Sequence, residues 1–106
     1  RKIFSNFKIE AVLHFAGLKS INESYQKPFD YFSNNLMGSV NLINEMCNAN
    51  INKILFSSSA TVYGNNHPLP WKEDLKLNLP SSPYAQTKIL VEDFLFFFYS
   101  LFLCRK

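Results

Sequence analysis

The chain has 106 residues, of which 47% are hydrophobic and 18% charged, enough for one small globular domain and unlike a disordered chain. Its net charge of +3 is spread thinly, with no cluster of lysine or arginine, which argues against a nucleic-acid-binding surface. The two cysteines, Cys47 and Cys104, have no metal-ligand spacing and no persuasive disulfide pattern. They predict buried or free thiols in a reducing compartment, and we expect a cytoplasmic protein.

The chain shows no sign of a membrane-spanning or secretory segment. Its longest uncharged apolar stretch, residues 94–104, has 11 residues, whereas a spanning helix needs roughly 20. This stretch is apolar on every side, which predicts either a helix buried against a partner or an unnatural terminus. The chain begins with Arg1 rather than Met, so we expect a piece of a longer protein.

The first half predicts a strand, a loop and a helix. The apolar run 11–16 ends at Gly17 and is typical of a parallel strand buried on both faces. Residues 18–27 read as a polar loop, and Pro28 opens a helix that ends in the asparagine-rich segment 48–52. Gly38, inside this helix, indicates close helix packing. One stripe of the helix is expected to face the core: Phe29, Phe32, Leu36, Val40, Ile43 and Cys47.

The second half repeats the pattern. Residues 53–57 predict another buried strand, and residues 63–80 are rich in turn formers. Ser82 and Pro83 then predict the N-cap and first residue of a second helix. Two parallel strands joined by a helix form a βαβ unit, so the fold class is α/β. Ligands of such sheets bind beyond the carboxyl ends of the strands, where residues 17–19 and 57–59 lie.

Tyr84 and Lys88 are the candidate catalytic pair. They are four residues apart, so on a helix the ammonium of Lys88 can lie near the phenol of Tyr84. A neighbouring positive charge favours a phenolate and makes it a usable proton acceptor near neutral pH. A serine hydroxyl from residues 57–59 could hold a substrate hydroxyl beside it. With a hydride acceptor present, this group of side chains could oxidise an alcohol. His14, inside the first strand, is predicted as a hydrogen-bonded structural residue rather than a base.

Three blocks of sequence, residues 14–19 (HFAGLK), 57–64 (SSSATVYG) and 82–88 (SPYAQTK), resemble the extended short-chain dehydrogenase/reductases. Within them, the likeness is greatest to the UDP-glucose 4-epimerases and runs over about residues 10–94. The resemblance implies a Rossmann-type doubly wound parallel sheet, of which this chain holds one incomplete NAD-binding domain over residues 1–106, with an atypical aromatic tail at 94–106. The glycine-loop strands and the C-terminal substrate domain of that family have no counterpart here.

The resemblance also implies a reaction and a site. NAD would accept hydride from a UDP-sugar, so that UDP-glucose and UDP-galactose interconvert through a 4-keto intermediate. Tyr84 would take the hydroxyl proton, Ser59 would hold the sugar hydroxyl, and Lys88 would bond the nicotinamide ribose; Lys19, Ser59 and Tyr84 would contact the substrate, and no metal is implied. The implied cofactor-binding residues are Phe15, Ala16, Gly17, Lys19, Asn34, Ser57, Ser58, Tyr84 and Lys88. Homodimers would pair through the helices that begin near Pro28 and Pro83.

Two alternatives stay open. A sugar-nucleotide dehydratase or decarboxylase on the same scaffold would use an additional acid beside the serine motif, where this chain has Ala60 and Thr61. A non-catalytic remnant is the alternative from another class. The three glycines, Gly17, Gly38 and Gly64, cannot form the family's phosphate loop. We therefore expect the parent protein to be an enzyme and the 106 residues alone to be inactive.

Overall fold

The computed structural model describes residues 1–59 and 82–99. The predicted order of strand, helix, strand and helix is confirmed, with a short additional helix at the start. The predicted turn-rich segment 63–80 and the chain beyond residue 99, including Cys104, lie outside the described residues. The elements are α1 (Lys2–Asn6), β1 (Val12–His14), α2 (Ile21–Gln26), α3 (Pro28–Tyr31), a π-helical segment (Phe32–Met37), α4 (Gly38–Asn48), β2 (Ile54–Phe56) and α5 (Pro83–Phe98).

Strands β1 and β2 pair in parallel, as the βαβ pattern predicts. In the register, Val12 lies opposite Ile54 and His14 opposite Phe56. The ladder continues past β2, where the Ser57 N–H donates to the carbonyl oxygen of His14 at 3.1 Å. The carboxyl ends of both strands therefore meet at one edge, as the location of a ligand site in this kind of sheet requires.

The expectation that both strands are buried on two faces is wrong for the described part of the chain. Leu13 is 65% exposed and Leu55 is 54% exposed. Side chains alternate between the faces of a strand, and these two leucines share the face that none of the described elements covers. On the opposite face, Val12, His14, Ile54 and Phe56 are half-buried.

The long helix α3–π–α4 confirms only part of the core stripe that its apolar spacing predicts. Phe29, expected in the core, is 86% exposed. Ile43 is buried as predicted, and the other stripe residues are half-buried. The remaining buried positions of this helix are Tyr31, Asn35, Ser39 and Met46. A π-helical turn bonds residue i to i+5 and takes up more residues than an α-helical turn. The prediction assumed a 3.6-residue period throughout and did not foresee two polar residues, Asn35 and Ser39, at the most buried positions in the middle of the helix.

The end of α4 follows its sequence signal. Asn50 has a φ of 58°, in the left-handed region that asparagine tolerates. Its N–H donates to the Cys47 carbonyl at 3.1 Å, and the Ile51 N–H donates to the Met46 carbonyl at 2.9 Å. These two bonds form a Schellman motif, which satisfies the last carbonyl groups and turns the chain toward β2.

The predicted loop 18–27 is wrong in part, because it contains helix α2. Ser20 is its N-cap and accepts a hydrogen bond from the Glu23 N–H at 3.2 Å. Glu23 also forms an ion pair with Lys27 at 3.7 Å. Serine followed three residues later by glutamate is a helix-start signature, so the sequence carried a readable signal for this helix.

Helix α5 begins as predicted and packs against the π-helical segment and α2. Ser82 is its N-cap, accepting from the Ala85 N–H at 3.1 Å, and Pro83 is the first helical residue. Tyr84, near its start, meets the ring of Tyr31 edge-on at 6.3 Å between centroids. None of the described helices is long and apolar enough to cross a membrane.

Gly38, in contrast, is not a site of close helix packing within the described residues. A methyl group placed on it would meet no atom within 4 Å. The prediction of close packing at this glycine is therefore wrong for this part of the chain.

Candidate active site

Tyr84 and Lys88 occupy the first turns of α5, beside the carboxyl end of β2. The ammonium nitrogen Nζ of Lys88 donates to the backbone carbonyl of Ser57 at 3.0 Å. The same nitrogen lies 4.8 Å from the ring centroid of Phe56 and 5.8 Å from that of Tyr84. The ammonium thus lies between two aromatic rings, each of which attracts a cation. One of the two rings belongs to the predicted proton acceptor.

The Lys88 side chain is only 7% exposed. Burial lowers its pKa from the usual value, and the carboxylate of Glu92, one helical turn later, opposes that shift. A buried ammonium needs hydrogen-bond acceptors, and the Ser57 carbonyl supplies one. Among residues 1–59 and 82–99, this carbonyl is the one hydrogen-bond acceptor of the ammonium.

The predicted cofactor residues beyond β1 are all accessible. Phe15 is 63% exposed, and Ala16, Gly17 and Lys19 are exposed too. Asn34 is exposed on the π-helical segment next to this loop, and its amide donates to Asn35 at 2.9 Å. The structure therefore brings the β1 loop and Asn34 to the edge that α5 also reaches.

The serines after β2 complete this edge. Ser57, Ser58 and Ser59 are half-buried. The hydroxyl oxygen of Ser58 is buried and has no hydrogen-bond partner among the described residues. A buried polar atom without a partner costs free energy, so a bound ligand that reached it would be stabilised there.

His14 and Ser39 form a part-buried, hydrogen-bonded pair that the sequence did not reveal. Nε2 of His14 lies 2.8 Å from the hydroxyl oxygen of Ser39, which itself donates to the Asn35 carbonyl at 2.6 Å. Because that hydroxyl proton is already used, Nε2 carries the hydrogen and Nδ1 is the bare nitrogen. Burial first, and then the charge of Lys88, lower the pKa of His14 below 6.5. The imidazole is thus a neutral structural donor, in agreement with its predicted role.

Asn35 is the second residue that the sequence analysis missed. Its amide is 5% exposed and bonds both backbone groups of Leu18, in the loop that follows β1. A buried asparagine inside a helix is unusual by helix propensity. The sequence analysis assigned the unusual helical asparagine to Asn34, because the sequence does not show which of the two adjacent asparagines is buried.

A groove lined by both apolar and asparagine side chains lies away from this edge. It is lined by Ile43, Cys47 and Ile51 near the end of α4, and by Phe94 and Phe98 of α5. These residues flank the amino end of β2, whereas Tyr84 and Lys88 flank the carboxyl end. The groove and the predicted catalytic pair are therefore separate features.

The chain is similar to proteins of one known family. The model of the NAD dependent epimerase/dehydratase family matches residues 1–96. The UDP-glucose 4-epimerase of Yersinia enterocolitica is 50% identical over 93 residues, which are 88% of this chain and 28% of that protein. The bifunctional UDP-glucose 4-epimerase and UDP-xylose 4-epimerase 1 of Pisum sativum is 49% identical over 92 residues, covering 87% of this chain and 26% of that protein.

The same likeness holds in three dimensions. The UDP-glucose 4-epimerase of Bifidobacterium longum, solved in complex with NAD+ and UDP, superimposes with a TM-score of 0.90 at 39% identity, over 93% of this chain and 30% of that one. The chain therefore spans under a third of the length of the relatives it matches. Its two-stranded parallel sheet and flanking helices are part of the Rossmann-type fold of those enzymes. This chain belongs to the NAD dependent epimerase/dehydratase family.

Proposed function

We propose that the full-length protein carrying this chain is an NAD-dependent UDP-glucose 4-epimerase that interconverts UDP-glucose and UDP-galactose. One observation carries the proposal: α5 delivers a phenol and an ammonium together to the carboxyl end of β2, with Nζ of Lys88 on the Ser57 carbonyl. Relatives of this name, at up to 50% identity, support the choice of substrate.

The residues at this edge fit a nicotinamide cofactor. Exposed side chains beyond β1 (Phe15 and Lys19) and the exposed amide of Asn34 could contact it from one side. The partnerless hydroxyl of Ser58 offers a buried hydrogen-bonding group on the other. Bound there, NAD would supply the acceptor and donor of hydride. The cofactor-binding residues are then Phe15, Ala16, Gly17, Lys19, Asn34, Ser57, Ser58, Tyr84 and Lys88.

Within that arrangement, the chain's own side chains manage the proton. Tyr84 is the general base that accepts the proton of the sugar hydroxyl and later returns it. Lys88, already oriented by Ser57, keeps a positive charge near the ring of Tyr84 and would donate to a cofactor hydroxyl. Ser59 and Lys19 hold the sugar. Because Tyr84 is only 9% exposed, bulk water has little access to its ring.

The experiment uses the full-length protein and measures the interconversion of UDP-glucose and UDP-galactose. Removing the general base, as in Tyr84→Phe, is expected to lower kcat by about 100-fold or more, while NAD remains bound. Tyr25→Phe, at a tyrosine that is 58% exposed, is the matched control and should keep full activity. Wild-type-like turnover of Tyr84→Phe would remove Tyr84 from the role of base.

The 106 residues alone are proposed to be inactive, as one incomplete NAD-binding domain with the aromatic segment 94–106 at its end. The exposed leucines of the sheet, Leu13 and Leu55, support this, since they leave an apolar face without cover among the described residues. Titration of the purified chain with NAD checks it; saturable binding at micromolar concentrations would contradict the proposal.

A dehydratase or decarboxylase acting on a sugar nucleotide is the less favoured candidate. Such reactions need a further acid beside the serine motif, and Ala60 and Thr61 carry no ionisable group. Incubating the full-length protein with UDP-glucose distinguishes the two, because only an epimerase yields an isomer of unchanged mass.

We also propose a cytoplasmic homodimer for the full-length protein, paired through α3–π–α4 and α5. The exposed aromatic rings of Phe29 (86%), Phe96 (77%) and Phe97 (64%) on these helices support an interface there. Sedimentation of the full-length protein measures its mass, and Phe29→Glu should shift a dimer toward monomer. A monomeric wild-type protein at micromolar concentration would contradict the dimer.

A further inference from the structure

The side chain of Asn35 holds the loop after β1 by both of its backbone groups. The Leu18 N–H donates to Oδ1 of Asn35 at 2.8 Å, and Nδ2 of Asn35 donates to the Leu18 carbonyl at 2.8 Å. Because an N–H only donates and a carbonyl only accepts, this pair of bonds fixes which end of the amide is oxygen. The asparagine thus serves this peptide much as a neighbouring strand would.

The remaining donor and acceptor positions of the Asn35 amide also form hydrogen bonds. Oδ1 accepts a second hydrogen bond from Asn34 at 2.9 Å, and Nδ2 lies 3.5 Å from the hydroxyl oxygen of Thr87. Thr87 can accept there, because its own proton goes to the Tyr84 carbonyl at 2.7 Å. Both acceptor and both donor positions of Asn35 are therefore occupied. A buried polar group with all its bonds made holds one orientation.

These bonds join three parts of the proposed site, namely the loop after β1, the Asn34 amide and helix α5. Leu18 lies between Gly17 and Lys19, both exposed and both proposed to face the cofactor. Gly17 fits closely against the same amide, since a methyl group on it would lie 3.2 Å from Oδ1 of Asn35. The amide of Asn34 is also held by Oδ1. Movement of Asn35 would displace the loop and Asn34 together.

We propose that Asn35 is a positioning residue for the cofactor: it does not touch the nicotinamide, but it fixes the Gly17–Lys19 backbone and the Asn34 amide in the geometry that binds it. This inference rests on the proposed function. The competing explanation is that Asn35 only stabilises the fold. The two explanations predict different NAD affinities when the hydrogen bonds to Leu18 are broken and then restored without changing the shape of the side chain.

Asn35→Asp makes that comparison possible. An ionised carboxylate has the shape of the amide but can only accept, so it loses the bond to the Leu18 carbonyl and repels that oxygen. A protonated carboxyl has one donor and one acceptor and can make both bonds again. Among the described residues, the titratable groups on the surrounding elements include Lys19, Glu23, Tyr31, Tyr84 and Lys88, and His14 is linked through Ser39. Burial raises the pKa of the new carboxyl, while the charge of Lys88 opposes that rise.

The experiment measures the NAD dissociation constant of the full-length protein by calorimetry, at about pH 8 and again at about pH 5. For Asn35→Asp we expect affinity at least about tenfold weaker than wild type at the higher pH, and recovery of most of that loss at the lower pH. The control Asn44→Asp adds the same charge at an exposed position of α4 and should match wild type at both values. The thermal midpoint of each cofactor-free protein is measured alongside.

The outcomes separate cleanly. If Asn35→Asp binds NAD like Asn44→Asp, or if its affinity does not recover at low pH while the cofactor-free protein stays folded, the inference is overturned and the proposed function stands. If the wild-type protein binds no NAD, both fail together.

A measurement on the wild-type protein covers the case in which Asn35→Asp does not fold. Hydrogen exchange is followed at the Leu18 amide in the cofactor-free state. Because Asn35 accepts from this N–H, we expect exchange at least about 100-fold slower than in an unfolded chain. Exchange at the unprotected rate would show that the contact does not persist and would overturn the inference.

Discussion

The imidazole of His14 and the hydroxyl of Ser39 join strand β1 to helix α4 through a part-buried hydrogen bond of 2.8 Å. Ser39 is 2% exposed and passes its own proton to the carbonyl of Asn35, one helical turn earlier. This single hydroxyl therefore connects the strand that precedes the proposed cofactor loop with the residue that holds that loop. We therefore expect that removing this hydroxyl lowers the free energy of unfolding.

Ser39→Ala is expected to lower the free energy of unfolding of the full-length protein by about 1–3 kcal/mol, because it leaves Nε2 of His14 without a partner. Chemical denaturation measures the change. Ser33→Ala, at an exposed serine of the π-helical segment, is the matched control and should change the free energy by no more than about 0.5 kcal/mol. Equal effects of the two substitutions would mean that the hydrogen bond between His14 and Ser39 contributes nothing to stability.

His14 should also make stability depend on pH. Its pKa in the folded protein lies below 6.5, the value expected once the chain unfolds, because of burial and the charge of Lys88. As the pH falls below 6.5, the unfolded chain takes up a proton that the folded chain resists. The contribution of His14 to the free energy of unfolding should therefore be constant above pH 6.5. Below pH 6.5 it should decrease until the pH reaches the pKa of His14 in the folded protein.

His14→Gln tests this dependence, since a glutamine amide can still donate to Ser39 but does not titrate. Thermal midpoints of the full-length protein are measured in steps from about pH 8 to about pH 5. The wild-type midpoint should fall more steeply than that of the variant over the acidic part of this range. Parallel curves would show that His14 is not the responsible group.

Substitution of Lys88 should lower the activity without a matching loss of stability. Burial lowers its pKa, which means that folding disfavours its charge. Lys88→Met keeps the apolar stem and removes the ammonium, so the thermal midpoint should change little, whereas kcat should fall by about 100-fold or more. Lys27→Met, at a lysine whose side chain is 58% exposed, is the control and should keep its activity. A variant as active as wild type would contradict the role given to the ammonium.

The sequence predicted those features that depend on neighbours along the chain. The N-cap at Ser82, the left-handed turn at Asn50 and the two strands are local signals, and each is found where it was expected. Helix α2 had such a signal as well, in Ser20 and Glu23, but it was read as a loop.

Features that depend on tertiary contacts were not predictable from this sequence alone. The π-helical segment changes the period on which the core stripe was assigned, and nothing in the residues 32–37 announces it. The bonds between Asn35 and Leu18 join residues 17 positions apart. Of two adjacent asparagines, the sequence favoured Asn34, because no pattern shows which side chain turns inward.

Gly17 and Gly38 should respond in opposite directions to the same substitution. At Gly38, which has helical backbone angles and no atom within 4 Å of a new methyl group, alanine should raise the free energy of unfolding by up to about 1 kcal/mol. At Gly17, the methyl group would lie 3.2 Å from Oδ1 of Asn35, which the bonds to Leu18 hold in place, so alanine should lower both stability and NAD affinity. Denaturation and calorimetry of the full-length protein measure the two effects. If Gly38→Ala destabilises the protein instead, a surface outside the described residues must pack against that glycine.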